Sequence, residues 1–369
     1  MICCTECFQD VEVKSHIKDL KNKGNCYTCG CKNVFIYDTE TNHLLTTWFE
    51  EFISIFTPVD ALPLNFPRAD LSLLKDELHD NWNIFNLEKE IIYKLITVIC
   101  EERYRSNPEL FDAPIGIPKS QQASYLQSNS LLKTYNWEDF VEAIKTQNRF
   151  HTDHLNEEVL QLFCSYVKKT YKAGSIFYRA RVSDKEGWSV DKMSAPPPAL
   201  ASAGRANPEG ISHLYLSNDV TTTLKEVRAG AHDYVTVGKF ELIQDMDIVD
   251  LTAIDRISAF SDLDNTQHAT NKRHLQKINR EIAKPLRRQD SALDYLPTQY
   301  IVDFIKSIKT TEGTREYDGI EYDSTMNKSE GGFNITVFDE KLFKCTELSV
   351  IQIIELTYRP SRIVWDSVQ

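Results

Sequence analysis

The chain of 369 residues has no stretch approaching the roughly 18 consecutive apolar residues that a membrane-spanning helix needs. It does not open on a basic segment followed by an apolar one, so no secretory leader is expected and the protein reads as cytoplasmic. It lacks the Gly-x-x-x-x-Gly-Lys-Ser/Thr loop and the Gly-x-Gly-x-x-Gly turn, which excludes P-loop and Rossmann-type nucleotide binding. No internal repeat is visible, which excludes a solenoid or propeller. Positive charge is short as well: 42 basic against 54 acidic residues give a net charge of -12, which argues against nucleic-acid binding through overall electrostatics. With 41% hydrophobic and 26% charged residues the chain is not disordered, and its length suits two domains and a small third module.

What is present begins with nine cysteines, six of them within the first 31 residues. Cys4 and Cys7 are separated by two residues, as are Cys26 and Cys29, with eighteen residues between the pairs. Each pair can turn tightly enough to offer two thiolates to one tetrahedral ion, the spacing of a zinc ribbon or knuckle. Cys3 and Cys31 adjoin this set, so the ligand choice can slip by one residue. An iron or redox site, or plain reduced thiols, would use the same residues. Four thiolate ligands leave no open position, so zinc here would be structural. Cys100, Cys164 and Cys345 stand alone in apolar surroundings and read as small core residues.

From about residue 46 to 173 the pattern is helical. Asn86 is a candidate N-cap before Leu87, Ile91, Leu95 and Ile99. Asn136 precedes Trp137, Phe140, Val141 and Ile144. Asn156 precedes Val159, Leu162, Phe163, Tyr166 and Val167, with Gly174 as the stop. Beyond Gly174 short β-branched and aromatic segments predict strands over 175–182, 214–216, 234–242, 248–250, 319–322, 333–338 and 351–358. Helices are expected over 220–228, 271–288 and 297–308, which makes this half α+β.

Within it, Glu226 follows an aromatic strand and lies between separated arginines, an arrangement suited to binding an anion while stabilising positive charge on it. Arg179 lies in a strand that otherwise reads as buried, and a buried guanidinium needs an anion or several acceptors. Arg181 shares its face by period-two alternation; Glu241 or Asp323 could pair with either. Arg205 sits in a Gly/Pro loop that permits close approach to a ligand. Tyr215 should face opposite to Leu214 and Leu216, and Tyr178 is a similar strand tyrosine; both could equally be core. Glu226 could instead pair with Lys225 or Arg228. Thr298 and Gln299 open a helix whose amides could meet an anion. The basic run Lys272, Arg273, Lys277, Arg280, Lys284, Arg287 and Arg288 is a solvated face or a docking surface for an acidic inhibitor.

The order of five pieces resembles one family. They are Gly174-Ser-Ile-Phe-Tyr-Arg-Ala-Arg181, Gly204-Arg-Ala-Asn-Pro208, Leu214-Tyr-Leu216, Leu224-Lys-Glu-Val227, and Tyr317-Asp-Gly-Ile-Glu-Tyr-Asp-Ser324. This order is similar to that of the RES domain, the NAD-consuming toxin family named for its Arg, Glu and Ser. The resemblance implies an ADP-ribosyltransferase-like α+β fold over 174–369. It implies NAD cleavage with inorganic phosphate as co-substrate, with Glu226, Arg179 and Ser324 catalytic and Arg205, Tyr215, Arg181 and Tyr178 at NAD or phosphate. It further implies a toxin-antitoxin or anti-phage role and a homo-oligomer, restrained by an Xre-type antitoxin or by the chain's own N-terminal half. Residues 41–173 are similar in position and helicity to an all-α HEPN-like domain, behind a zinc-ribbon-like module at 1–40. Two other activities remain open: mono-ADP-ribosyl transfer to a protein, and a HEPN-type ribonuclease built on Arg149 and His154.

Overall fold

The computed structural model describes residues 1–284 and 291–356. Two compact units emerge: Met1–Val167 with Thr252–Ile278, and Lys168–Leu251 with the chain from Asn279 onward. Among the described residues no helix is long and apolar enough to cross a membrane. Arg287, Arg288 and Tyr358 lie outside the described residues.

The first unit starts with three short antiparallel strands, β1 (Ile2–Cys4), β2 (Lys23–Gly24) and β3 (Val34–Asp38), in the order β1-β3-β2. Helix Val11–Asp19 is started by Asp10, whose carboxylate accepts the amides of Glu12 and Val13. The cysteine segment shares a core with the helices that follow: Cys3, Cys4, Phe8 and Ile17 pack in one cluster with Phe49, Phe52, Leu95 and Ile99. Ala259, Phe260 and Ala269 join that cluster, which is why 252–278 belongs with this unit rather than with the strand-rich half around it in sequence.

The block expected to be all-α also contains a two-stranded ladder, β4 (Thr57–Pro58) with β5 (Ile115–Gly116). Asn136 caps helix Trp137–Glu142 in a reciprocal capping box with Asp139, as its position suggested. Asn156 likewise caps Glu157–Tyr166. Asn86 does not cap; helix Lys89–Ile99 begins at Glu88, while the Asn86 side chain donates to the Glu6 carbonyl and its amide to the Cys7 carbonyl. Its buried stripe is therefore Ile92, Leu95, Ile96 and Ile99. Gly174, with φ +88, turns the chain between two strands instead of ending a helix.

Among its described residues the second unit is built on one eight-stranded sheet. Its strands are β6 (Lys168–Tyr171), β7 (Ile176–Ser183), β8 (Leu214–Ser217), β9 (Tyr234–Leu242), β10 (Met246–Asp250), β11 (Gly319–Asp323), β12 (Phe333–Val337) and β13 (Phe343–Gln352). They lie in the order β13-β9-β7-β8-β12-β11-β10-β6. Every pairing is antiparallel except β10 with β11. Strand alternation sends Phe177, Leu214, Leu216, Phe240, Ile335 and Val337 into one core. The other face packs Ala180, Val235 and Val237 against Val220, Leu224 and Val227 of helix Val220–Glu226 and its C-terminal end.

β7 and β8 meet at the single pair Tyr178–Ser217, so the ladder is thinnest in the middle of the sheet. The last strand runs over Phe343–Gln352, earlier than the expected 351–358, because its alternation is polar and carries little apolar signal. Helix Val220–Glu226 is started by Asp219, which accepts the Thr222 amide at 2.8 Å and the Thr222 hydroxyl at 2.6 Å. Asp219→Ala should cost about 1 kcal/mol in urea unfolding, the usual loss of an N-cap, and an unchanged midpoint would show that the helix does not depend on it.

Candidate active site

Glu226 is the last residue of its short helix and is half-buried. Its Oε1 accepts the Ser324 hydroxyl at 2.6 Å and the Asn334 side-chain amide at 2.9 Å. Ser217 Oγ donates to Asn334 Oδ1 at 2.7 Å, so the Asn334 NH2 group must face the carboxylate. Three strands thus hold one oxygen: Ser217 ends β8, Asn334 lies opposite it in β12, and Ser324 follows β11. Ser324 is fully buried and its own amide donates to the Gly332 carbonyl at 3.0 Å.

Neither basic neighbour in sequence reaches Glu226. Lys225 bonds to Asn327 and Glu330, and Arg228 is exposed at φ +52. Among the described residues Glu226 makes no ion pair, so its negative charge is fixed by neutral donors and left uncancelled. Tyr322 is buried; burial first, and also the Glu226 charge, push its phenol above the usual range.

Arg179 in β7 has its Nη1 buried with no hydrogen-bond partner among the described residues. Burial, and then the Arg181 charge, push its guanidinium down to about 10. Neither candidate carboxylate pairs with it: Asp323 takes Lys328 at 2.8 Å, and Glu241 faces Ile176 and Lys344 across the sheet. A buried guanidinium nitrogen left so has a proton free to donate to an anion's oxygen. Arg181 shares the alternation but is used structurally, donating to the Lys192 carbonyl at 2.5 Å. Tyr178 lies on the opposite alternation from Arg179 and packs in the core with Ala180 and Val237. Where β7 and β8 separate beyond their single pair, the Tyr215 hydroxyl and Arg179 still influence one another electrostatically.

The loop Gly204–Pro208 is built around Tyr215, which does face away from its leucine neighbours. Its hydroxyl donates to Asn207 Oδ1 at 2.5 Å. Asn207 Nδ2 donates to the carbonyls of Ser202, Pro208 and Ile211, which locks the loop. A Cβ at Gly204 would stand 2.7 Å from Asn207 Oδ1 and 3.0 Å from the Tyr215 hydroxyl, so glycine is required there by close approach. Arg205 points to the end of helix Asn265–Ala283, donating from Nε to the Lys284 carbonyl at 2.7 Å and packing over the Tyr295 ring. It serves as a helix C-cap, where a cation complements the exposed carbonyls. The side chains of Thr298 and Gln299 hold the carbonyls of Arg205, Gly204 and Asn207.

Asn207, Asn334 and Ser217 were not singled out by sequence reasoning. Asn207 lay within the quoted Gly-Arg-Ala-Asn-Pro motif and could have been found there; Asn334 and Ser217 become visible only through strand register. His213 was missed too. Its Nδ1 meets the Ala206 carbonyl at 2.9 Å and its Nε2 meets Lys306 Nζ at 3.1 Å, so Nδ1 carries the proton and Nε2 accepts from the ammonium.

Cys4, Cys7, Cys26 and Cys29 bring their four sulfurs within 4.8 Å of one another. Neighbouring sulfurs are 3.4 to 3.8 Å apart. Tetrahedral bonds of about 2.3 Å to zinc require about 3.8 Å, so the set fits such an ion. Cys3 Sγ instead turns to the Tyr37 carbonyl. Arg149 and His154 lie in an irregular stretch between residues 147 and 157; Arg149 is exposed, and His154 stacks on Tyr135 and meets the Thr152 hydroxyl.

Gly204→Ala should destabilise the protein by roughly 1–3 kcal/mol, the usual cost of overpacking, measurable by denaturant titration. Burial, and then Lys306, lower the His213 imidazole from 6.5 to about 4. The folded state therefore binds this proton more weakly than the unfolded chain. Its contribution to stability is complete above about pH 6.5 and is lost as pH falls towards 4. A His213→Gln variant should show a flatter stability profile across that window, and an unchanged slope would remove His213 from the account.

No curated protein and no solved structure matches the chain. Residues 176–359 match the RES domain. That span contains Arg179, Gly204–Asn207, Glu226, Ser324 and Asn334, and it is consistent with an enzyme acting on NAD. Through this segment the chain belongs to the RES domain family.

Proposed function

We propose that the chain degrades NAD by phosphorolysis of the nicotinamide–ribose bond. A phosphate oxygen bonds to the anomeric carbon, the carbon–nitrogen bond breaks, and its electron pair leaves with nicotinamide, giving ADP-ribose 1-phosphate. Positive charge builds on the ribose as the bond breaks, and a carboxylate fixed beside it lowers that barrier. The observation that carries this reading is Glu226 Oε1, held by Ser324 and Asn334 and, among the described residues, paired with no cation. Arg179, whose Nη1 is buried with no hydrogen-bond partner among the described residues, supports it as the contact for the diphosphate or the incoming phosphate. Tyr215 supports it as a wall for the nicotinamide end, held in place by Asn207. Arg181, Tyr178 and Arg205 then serve to hold the frame rather than the ligand.

The four cysteines are proposed to hold a structural zinc ion. An Xre-type antitoxin or the N-terminal half is proposed to restrain the enzyme in the cell, acting on the same RES segment.

Purified protein incubated with NAD, with and without phosphate, should yield nicotinamide and ADP-ribose 1-phosphate by mass spectrometry only when phosphate is present. Plain ADP-ribose in both would replace phosphate by water, and labelled protein would make the enzyme a transferase. Glu226→Ala should lower turnover about 100-fold or more with the fold retained. NAD loss at the parental rate in that variant sinks the reading. Asn334→Ala should act less strongly, roughly tenfold, since it removes one hydrogen bond to a charged group. Cys26→Ser should lower both the zinc content by elemental analysis and the melting temperature, and retention of full zinc would reassign the ligands.

A further inference from the structure

Between β11 and β12 the chain forms a loop, residues 324–332, whose ends adjoin both groups that hold Glu226. Ser324 opens the loop, and Asn334 follows it by two residues. Residues 325–331 are exposed with one exception. Asn327 is 3% exposed, and a buried amide needs hydrogen-bond partners.

Those partners fix its orientation. Lys225 Nζ can only donate, so it meets Asn327 Oδ1. The Thr222 hydroxyl already gives its proton to Asp219 at 2.6 Å, so it accepts from Asn327 Nδ2 at 2.8 Å. Thr222 and Lys225 both lie on helix Val220–Glu226, which ends at Glu226. The Asn327 backbone meanwhile closes the loop on itself. Its amide donates to the Ser324 carbonyl at 3.3 Å, and its carbonyl accepts the Gly332 amide at 3.0 Å. A Cβ at Gly332 would stand 2.6 Å from Thr222 Oγ1 and 2.7 Å from Asn327 Cβ, so the loop lies directly against the helix. The far end of the loop is anchored separately, by Asn218, whose Oδ1 accepts the Phe333 amide at 2.9 Å.

Resting this on the reading of Glu226 as the carboxylate that stabilises positive charge on the ribose, we infer that Asn327 is a positioning residue for the Glu226–Ser324 contact. Its side chain ties the helix that carries the carboxylate to the loop that carries the hydroxyl. Glu226 stands at the carbonyl end of its helix, where the dipole disfavours negative charge, so its place depends on donors that reach it from outside the helix. Asn334 is held by its strand and by Ser217; Ser324 lies beyond the end of β11, and Asn327 holds it there.

The test is a crystal structure of the full-length Asn327→Ala protein together with its NAD kinetics. The Ser324 hydroxyl should lie beyond hydrogen-bond reach of Glu226, more than about 3.2 Å away. The kcat should fall roughly tenfold, the effect of losing one hydrogen bond to a charged group, with the KM for NAD unchanged. In a Ser324→Ala background the same substitution should cost nothing further, because the contact it positions is already gone, whereas a general loosening of the fold would lower both backgrounds alike. Asn327→Asp keeps the size and the acceptor for Lys225 and removes the donation to Thr222, so it gives the same readings if Asn327→Ala does not fold. A Ser324–Glu226 bond retained in the variant structure, or a loss that multiplies with that of Ser324→Ala, overturns the inference. Parental protein that leaves NAD intact would remove the NAD reading instead, and the variant structure would still decide whether Asn327 positions Ser324.

Discussion

The RES segment depends on how a carboxylate can be kept charged, oriented and unpaired inside a half-buried site. A lysine or arginine beside Glu226 would fix it equally well but would cancel its charge. Here Ser324 and Asn334 do the fixing instead, both neutral, and Ser217 sets which way the Asn334 amide points. That solution requires β8, β11 and β12 to be in register, because each supplies one member of the network. The basic residue next in sequence, Lys225, is drawn off to Asn327 and Glu330.

The same economy runs through the loop that precedes β8. Asn207 spends one side of its amide on Tyr215 and the other on three carbonyls of its own loop, while Thr298 and Gln299 hold the loop from outside. Arg205, which reads from sequence as an anion contact, is occupied by the carbonyls at a helix end. Of the residues proposed to meet a ligand, that leaves Arg179, Tyr215 and Glu226. The strands bearing Arg179 and Tyr215 are joined by the single pair Tyr178–Ser217.

The first unit follows a different logic. Its cysteine strands are not an appended module with a separate interior; Cys3, Cys4 and Phe8 are packed into the core that Phe49, Phe52 and Leu95 complete. A metal held by Cys4, Cys7, Cys26 and Cys29 would accordingly support the helices as well as the strands. The insertion of 252–278 into the same unit, out of the middle of the strand-rich half, follows from the apolar side chains Ala259, Phe260 and Ala269 that fill that core.

The sequence by itself determined the α+β character of the second half, most of its strands, the paired cysteines, the caps at Asn136 and Asn156, and Glu226, Ser324 and Arg179 as residues of interest. Each of these is written in local chemistry: alternation of apolar residues, spacing of thiols, a capping side chain before an apolar stripe, or the order of short motifs. Tertiary structure decided the rest. Asn334 and Ser217 are ordinary strand residues until β12 is laid against β8, and Arg181 and Arg205 are indistinguishable from ligand-binding arginines until the carbonyls that occupy them come from Lys192 and Lys284. β6 and the polar strand β13 carry no strong alternation and are strands because neighbours pair with them. Local pattern dictates what a segment can be; which donors meet which acceptors depends on segments distant in sequence, and that is settled only when the sheet closes.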